Sequence, residues 1–391
     1  MFRFLLFLPD RLSRVTSGGR FIGEIDGLRF LAIFPVLIQH MSERVQAYSP
    51  LDFHGVNESN MVAYTASRGF IGVYLFFMIS GFVLALPFGA HYLQEAKKIP
   101  LKSYFWRRVT RLEPPYIFLM TLFFLILVLF RNVPFPELFP RYLASIFYLH
   151  NIIYRDFTPV NPVAWSLEIE VQFYILAPFL ASLFFRTKNT WLRRLILTGS
   201  ILILLVLQQQ FIWYLLPYRL TIVGNLHLFL AGFLLADVYL TDWKKGITHS
   251  RIWDLVMLVA LPLPFFVWSH DFFNWLVFPF LLVLLIIGIF RGVYFNRFFT
   301  NKWITSIGGM CYTIYLIHLP VAEFVIRITR NWTAGESFTL NLLFQLAIYL
   351  PIVFGASVVV FLLLEKPCMD KMWPQKLRGN VRKILYKLKP V

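Results

Sequence analysis

Ten stretches of this 391-residue chain are apolar over enough length to cross about 30 Å of hydrocarbon, and that succession leaves few ways to fold. They lie at 28-48, 69-90, 114-131, 162-185, 195-215, 218-240, 252-269, 272-291, 303-325 and 339-364. Hydrophobic residues make up 58% of the chain and charged residues only 15%, more apolar material than one soluble core can hide. The expected fold class is therefore an all-α polytopic membrane protein with about ten transmembrane helices. A weaker run at 141-153, holding Arg141, His150 and Asn151, is too short to span and reads as a re-entrant or interfacial piece.

Charge sets the expected orientation. With the N-terminus inside, 28 of the 37 lysines and arginines fall in cytoplasmic segments and 8 on the other side, with Arg29 at a helix start. That bias follows the positive-inside rule and puts both termini in the cytoplasm. The net charge of +17 is then an insertion signal and an attraction to anionic lipid, and calls for no nucleic-acid partner. The basic tail from Lys376 to Lys389 is expected on the inner surface. The N-terminal run MFRFLLFLPDRLSR, too short and charged for a cleaved signal, is expected at the interface. Cys311 and Cys368 form no disulfide or metal-ligand pattern, so no metal is expected. The chain divides into a cytoplasmic segment at 1-24, a membrane domain at 25-367 and a basic cytoplasmic tail at 368-391.

Polar residues suited to chemistry crowd the first half, which argues for one site built mainly from the first four spans. In GEIDGLRFLAIFPVLIQH, residues 23-40, Arg29 and His40 are eleven positions apart, close to three helical turns, so they share a face about 16 Å apart along the axis. Ionisable groups at such depth mark a functional path by default. YFWRRVTRLEPPY, residues 104-116, places Arg107, Arg108 and Arg111 at the cytoplasmic mouth, where guanidinium groups suit phosphate oxygens or serve simply as membrane anchors. The glycines of GFIGVYLFFMISGF, residues 69-82, suit close helix packing. In NPVAWSLEIEVQFYILAP, residues 161-178, Glu170 lies inside an apolar run with Glu168 on a different helix face. A carboxylate there orients a base such as His40, or forms a structural salt bridge to Arg29. His150, His227 and His318 are expected only to cap or hydrogen-bond neighbouring helices.

Five ordered motifs resemble the acyltransferase family 3 proteins, from about Ile25 to Pro367: IDGLRFLAIFPVLIQH, GVYLFFMISGF, RRVTRLEPPY, WSLEIEVQFYILAP, and MCYTIYLIHLP with LLEKP. Glu170, not Glu168, stands at the matching glutamate. Tyr74 departs from the family pattern, where many members carry an aspartate, and the hydrolase-like domain that some members carry after the last span is not expected here.

The resemblance implies an integral membrane O-acyltransferase of the bacterial inner membrane that modifies cell-surface or lipid-linked carbohydrate. Acetyl-coenzyme A is the implied donor, its phosphates near Arg107, Arg108, Arg111 and Arg29. His40 is the implied general base, Glu170 its partner, and Ser80, Trp165 and Ser166 are candidates for substrate or oxyanion contact. Whether the acyl group passes directly or through a covalent enzyme intermediate stays open. The rival from another class is a proton-coupled transporter or flippase of a lipid-linked glycan, using Arg29, His40 and Glu170 as a relay.

Overall fold

The structure, a computed structural model, describes residues 9, 11, 12, 14, 21-370, 373 and 375. Among them the regular elements are all helical. Twelve helices carry the architecture: α1 (Gly23–Tyr48), α2 (Ile71–Gln94), α3 (Leu101–Phe130), α4 (Phe135–Ile146), α5 (Trp165–Phe185), α6 (Thr190–Phe211), α7 (Leu226–Thr241), α8 (Arg251–Ala260), α9 (Phe272–Arg291), α10 (Lys302–Gly309), α11 (Cys311–Thr329) and α12 (Phe338–Val360).

All ten apolar stretches are helical at least in part, and seven helices are long and apolar enough to cross a membrane. The difference from ten has local causes. The charges of α1 keep it out of the seven, α7 has only 16 residues, and the stretch at 252-269 breaks after α8, with Pro262 opening a separate five-residue helix at Leu263–Val267. The run at 141-153 divides between the end of α4 and a short helix at His150–Tyr154; the 12 residues of α4 reach only about 18 Å. The basic cluster before the third span is itself helical, because α3 runs unbroken from Leu101 through Pro114 and Pro115. The expectation for the tail at 376-389 lies outside the described residues.

Helix α2 is the centre of the bundle, packing against α1, α5 and most extensively α7. Glycine makes this closeness feasible. A Cβ on Gly81 would fall 2.2 Å from the Phe229 carbonyl oxygen, and one on Gly232 would fall 2.2 Å from that of Met78, so the two helices touch backbone to backbone at a reciprocal crossing. Gly69 and Gly72 let α2 and the turn before it approach Pro35 and Ala32 of α1 in the same way. These are the glycines of the 69-82 motif, and their service is packing. Gly81→Leu is expected to abolish monodisperse, folded protein in size-exclusion chromatography, whereas Gly199→Ala, whose added Cβ meets nothing within 4 Å, is expected to elute as wild type.

Large apolar side chains face outward along α3, α6, α8 and α12, among them Phe118, Leu122, Leu195, Ile203, Leu255 and Leu343. With the seven spans, this apolar exterior describes a multi-pass membrane protein. Helices α1 and α11 run side by side in the same direction: Gly308, just before α11, lies against Asp26 near the start of α1, while Glu323 pairs with Arg44 near its end. That parallel pair positions the site.

Candidate active site

Two polar clusters lie along α1. The first gathers Arg29 with Arg108, Arg111 and Glu170. Arg29 Nη1 donates to Asp26 Oδ1 at 2.6 Å, and Arg14 reaches the same oxygen at 3.4 Å. Arg29 is also within electrostatic range of Arg111, Glu170, Tyr174 and Cys311. Arg108 stacks its guanidinium on Tyr104 at 3.7 Å and on Tyr174 at 5.3 Å, and its Nη1 donates to the Tyr104 carbonyl, which fixes it toward the interior. Arg111 lies 3.8 Å from Glu365, a fully buried carboxylate that also accepts from the backbone N–H and hydroxyl of Thr313. Ser80 donates to Glu170 at 2.5 Å. Arg29, Ser80, Arg108, Arg111 and Glu170 are all partly exposed although they sit among apolar helices, so the cluster is reachable.

Arg107 stands apart. Its Nε donates to the Ser103 carbonyl on its own helix. One helical position from Arg108 turns it through about 100°, away from Tyr104 and Tyr174.

The second cluster surrounds His40, whose side chain is 19% exposed. Its Nδ1 lies 2.9 Å from Glu43 Oε2, and Gln39 donates to the other oxygen of that carboxylate at 2.7 Å. The expected His40–Glu170 pairing therefore does not form: Glu43, one turn further along the same helix, is the partner, and Glu170 accepts from Ser80 instead. Beyond Glu43, Arg44 pairs with Glu323 at 2.8 Å, and Tyr48 donates to Glu323. The fully buried ring of His318 lies 5.1 Å from that of His40, centroid to centroid.

Tyr315 stands between the clusters. Its hydroxyl meets Ser166 Oγ at 2.7 Å and donates to the Val163 carbonyl, and its own carbonyl holds His318 Nδ1 at 2.7 Å. Ser166 precedes Glu170 by four residues on α5, hence on the same face. A line of polar contacts thus runs from Ser80 and Glu170 past Ser166 and Tyr315 to His318 and His40. Trp165 turns aside from it, with Phe77 and Phe157 packed edge-on and Arg219 over its ring at 6.0 Å. Glu168, fully buried, accepts from the Asn151 backbone N–H at 2.8 Å.

Among the sequence candidates, Arg29, Arg108, Arg111, Glu170 and Ser80 come together, while His40 sits about 16 Å from Arg29 along the shared helix. Glu43, Tyr315 and Glu365 were not singled out, and His318 was expected only to cap or hydrogen-bond a neighbouring helix. Glu43 had a local signal in its three-residue spacing from His40. The other three reach the site only through packing of the last spans against α1, α3 and α5. Among the described residues no group of His, Cys, Asp and Glu could hold a metal ion.

Residues 22-365 match the model of an acyltransferase domain family, Acyl_transf_3. Two similar curated proteins are the O-acetyltransferase OatA of Staphylococcus aureus strain NCTC 8325 / PS 47 and that of strain COL. Each is 26% identical to this chain over 342 residues, covering 81% of this chain and 53% of the relative. The chain spans about half the length of these relatives. No solved structure matches it.

Proposed function

The chain belongs to this acyltransferase family, and from that premise we propose that it transfers an acetyl group from acetyl-coenzyme A to a hydroxyl of a cell-surface or lipid-linked carbohydrate. The observation that carries the reading is the pair of polar clusters along α1: guanidinium groups of α1 and α3 at the basic end, and an imidazole held by a carboxylate three turns away. The positive-inside bias puts the guanidinium end and both termini in the cytoplasm, here of a bacterial inner membrane. Arg108, Arg111 and Arg29 receive the donor's phosphates there as charge-assisted, bidentate partners. The donor's arm extends along the line of Ser166 and Tyr315 toward His40, and the acceptor approaches from the opposite side.

At His40 the carboxylate of Glu43 fixes the proton on Nδ1 and leaves Nε2 as the base. The acceptor hydroxyl gives its proton to Nε2 as its oxygen forms a bond to the acyl carbon. The carbon–sulfur bond breaks with its electron pair going to sulfur, and the imidazolium returns the proton to the departing thiolate. Glu170, within electrostatic range of Arg29 and Arg108, balances the charge of the arginine cluster instead of orienting His40.

The test is transfer of labelled acetyl from acetyl-coenzyme A to an envelope glycan extract by the purified protein in liposomes. Arg108→Ala is expected to raise the KM for acetyl-coenzyme A about tenfold or more, with Arg108→Lys restoring little because a point charge replaces a stacked fork. Movement of labelled lipid-linked sugar across the bilayer without any acyl transfer would favour a flippase.

A further inference from the structure

His318 is held as an acceptor with no donor among the described residues. It is fully buried, and its Nδ1 lies 2.7 Å from the Tyr315 carbonyl and 3.2 Å from that of Ile314. Carbonyl oxygens only accept, so Nδ1 carries the hydrogen and the neutral ring presents a lone pair at Nε2. That Nε2 has no hydrogen-bond partner among the described residues. The Nδ1 contacts to its own helix set the ring's orientation, and the Tyr349 hydroxyl, donating to the His318 carbonyl at 3.0 Å, ties that part of the helix to α12. The ring 5.1 Å away is His40. Other buried polar atoms, His150 Nε2 and Glu168 Oε1 among them, also lack a partner among the described residues; what sets His318 apart is that its ring lies beside that of His40.

We propose that His318 is a positioning residue for acyl transfer, its fixed Nε2 lone pair stabilising the imidazolium that forms on His40 when the acceptor hydroxyl loses its proton. This rests on His40 acting as the base. Neutral imidazole is a dipole whose positive end, the Nδ1–H, is committed to the helix backbone. Its negative edge therefore lies on the distal side of the ring, set before charge appears on His40 and shielded from water. The other charged or titratable groups around the pair are Glu43 and Arg44 on α1, Tyr315, Glu323 and Arg327 on α11, and Tyr349 on α12. Arg44 is engaged by Glu323 and by Glu43, Arg327 by Glu323, and Glu43 also by His40 itself. His318 supplies a neutral acceptor that a second carboxylate could replace only by adding charge to the interior.

The experiment compares release of thiol from acetyl-coenzyme A, with the envelope glycan extract as acceptor, by full-length wild type, His318→Leu, His318→Gln and His318→Asn, each also in a His40→Ala background. His318→Leu is expected to lose about tenfold to a hundredfold in kcat, with the KM for acetyl-coenzyme A unchanged within about twofold. His318→Gln, which returns an acceptor to the distal position, is expected to recover most of that loss. His318→Asn puts its shorter amide at the Nδ1 position, donating toward Tyr315 and leaving the distal position without an acceptor, and is expected to stay low. In the His40→Ala background none of the three lowers the rate further. Wild-type kcat in His318→Leu, a glutamine no better than asparagine, or added loss without His40 overturns the inference. Should His318→Leu fail to fold in size-exclusion chromatography, the glutamine and asparagine pair decides. Full turnover in His40→Ala alone would instead remove the base reading, and the inference with it.

Discussion

His40→Ala is expected to lower acyl transfer by about 100-fold to 10,000-fold, the range that general-base assistance supplies, while the protein stays folded. The imidazole is partly exposed and its one hydrogen bond is to a carboxylate that is 40% exposed, so truncation strands no fully buried charge. Turnover of labelled acetyl-coenzyme A and the size-exclusion profile, measured on one preparation, separate the two effects. In the same assay Glu43→Gln is expected to cost about 10-fold to 100-fold in kcat, the scale on which an orienting partner acts. Glu170→Gln should act instead on donor binding and stability. If Glu170→Gln removed kcat and Glu43→Gln did nothing, the contacts at His40 would not be those used in catalysis.

What could be read from the chain, and what could not, divides along the same line. Arg29, His40, Arg108 and Glu170 are legible because each interrupts or flanks an apolar run, and a charge in lipid is costly enough to need an explanation. The helices are legible for the same reason, since apolar length dictates them. Pairing is another matter. Glu170 was expected on His40 because both are embedded, yet embedding says nothing of which helices adjoin. The parallel packing of α1 on α11 brings His318 to His40 across 278 positions of sequence, and the glycine contact of Gly308 on Asp26 sets the depth at which the two helices meet. Periodicity within a single segment carries no record of either. The segmentation of the stretch at 252-269 was legible in hindsight from Pro262 and Pro264, which a hydropathy sum passes over.

Asp237→Ala is expected to be strongly destabilising although it lies away from the site, lowering unfolding stability by about 3–5 kcal/mol. Asp237 is fully buried near the end of α7. Its two oxygens take Arg193 Nε at 2.5 Å and Arg194 Nε at 2.7 Å, so one carboxylate clasps the start of α6 to α7. Arg194 has a second partner in Asp242, whose carboxyl its guanidinium holds below the usual carboxylate range. Arg193 has none of comparable strength: it is 1% exposed and otherwise reaches only the carbonyls of Thr187 and Lys188 and the hydroxyl of Thr190. Removing Asp237 therefore leaves Arg193 buried without its counter-charge, while Arg194 can still turn to Asp242. Denaturant or thermal unfolding of the purified protein measures the loss. The pair itself contributes little net stability once desolvation is counted, so Arg193→Met combined with Asp237→Leu should recover most of what Asp237→Ala loses. If the double variant were as unstable as the single, the clasp would hold α6 and α7 together through its geometry rather than merely avoiding a stranded charge.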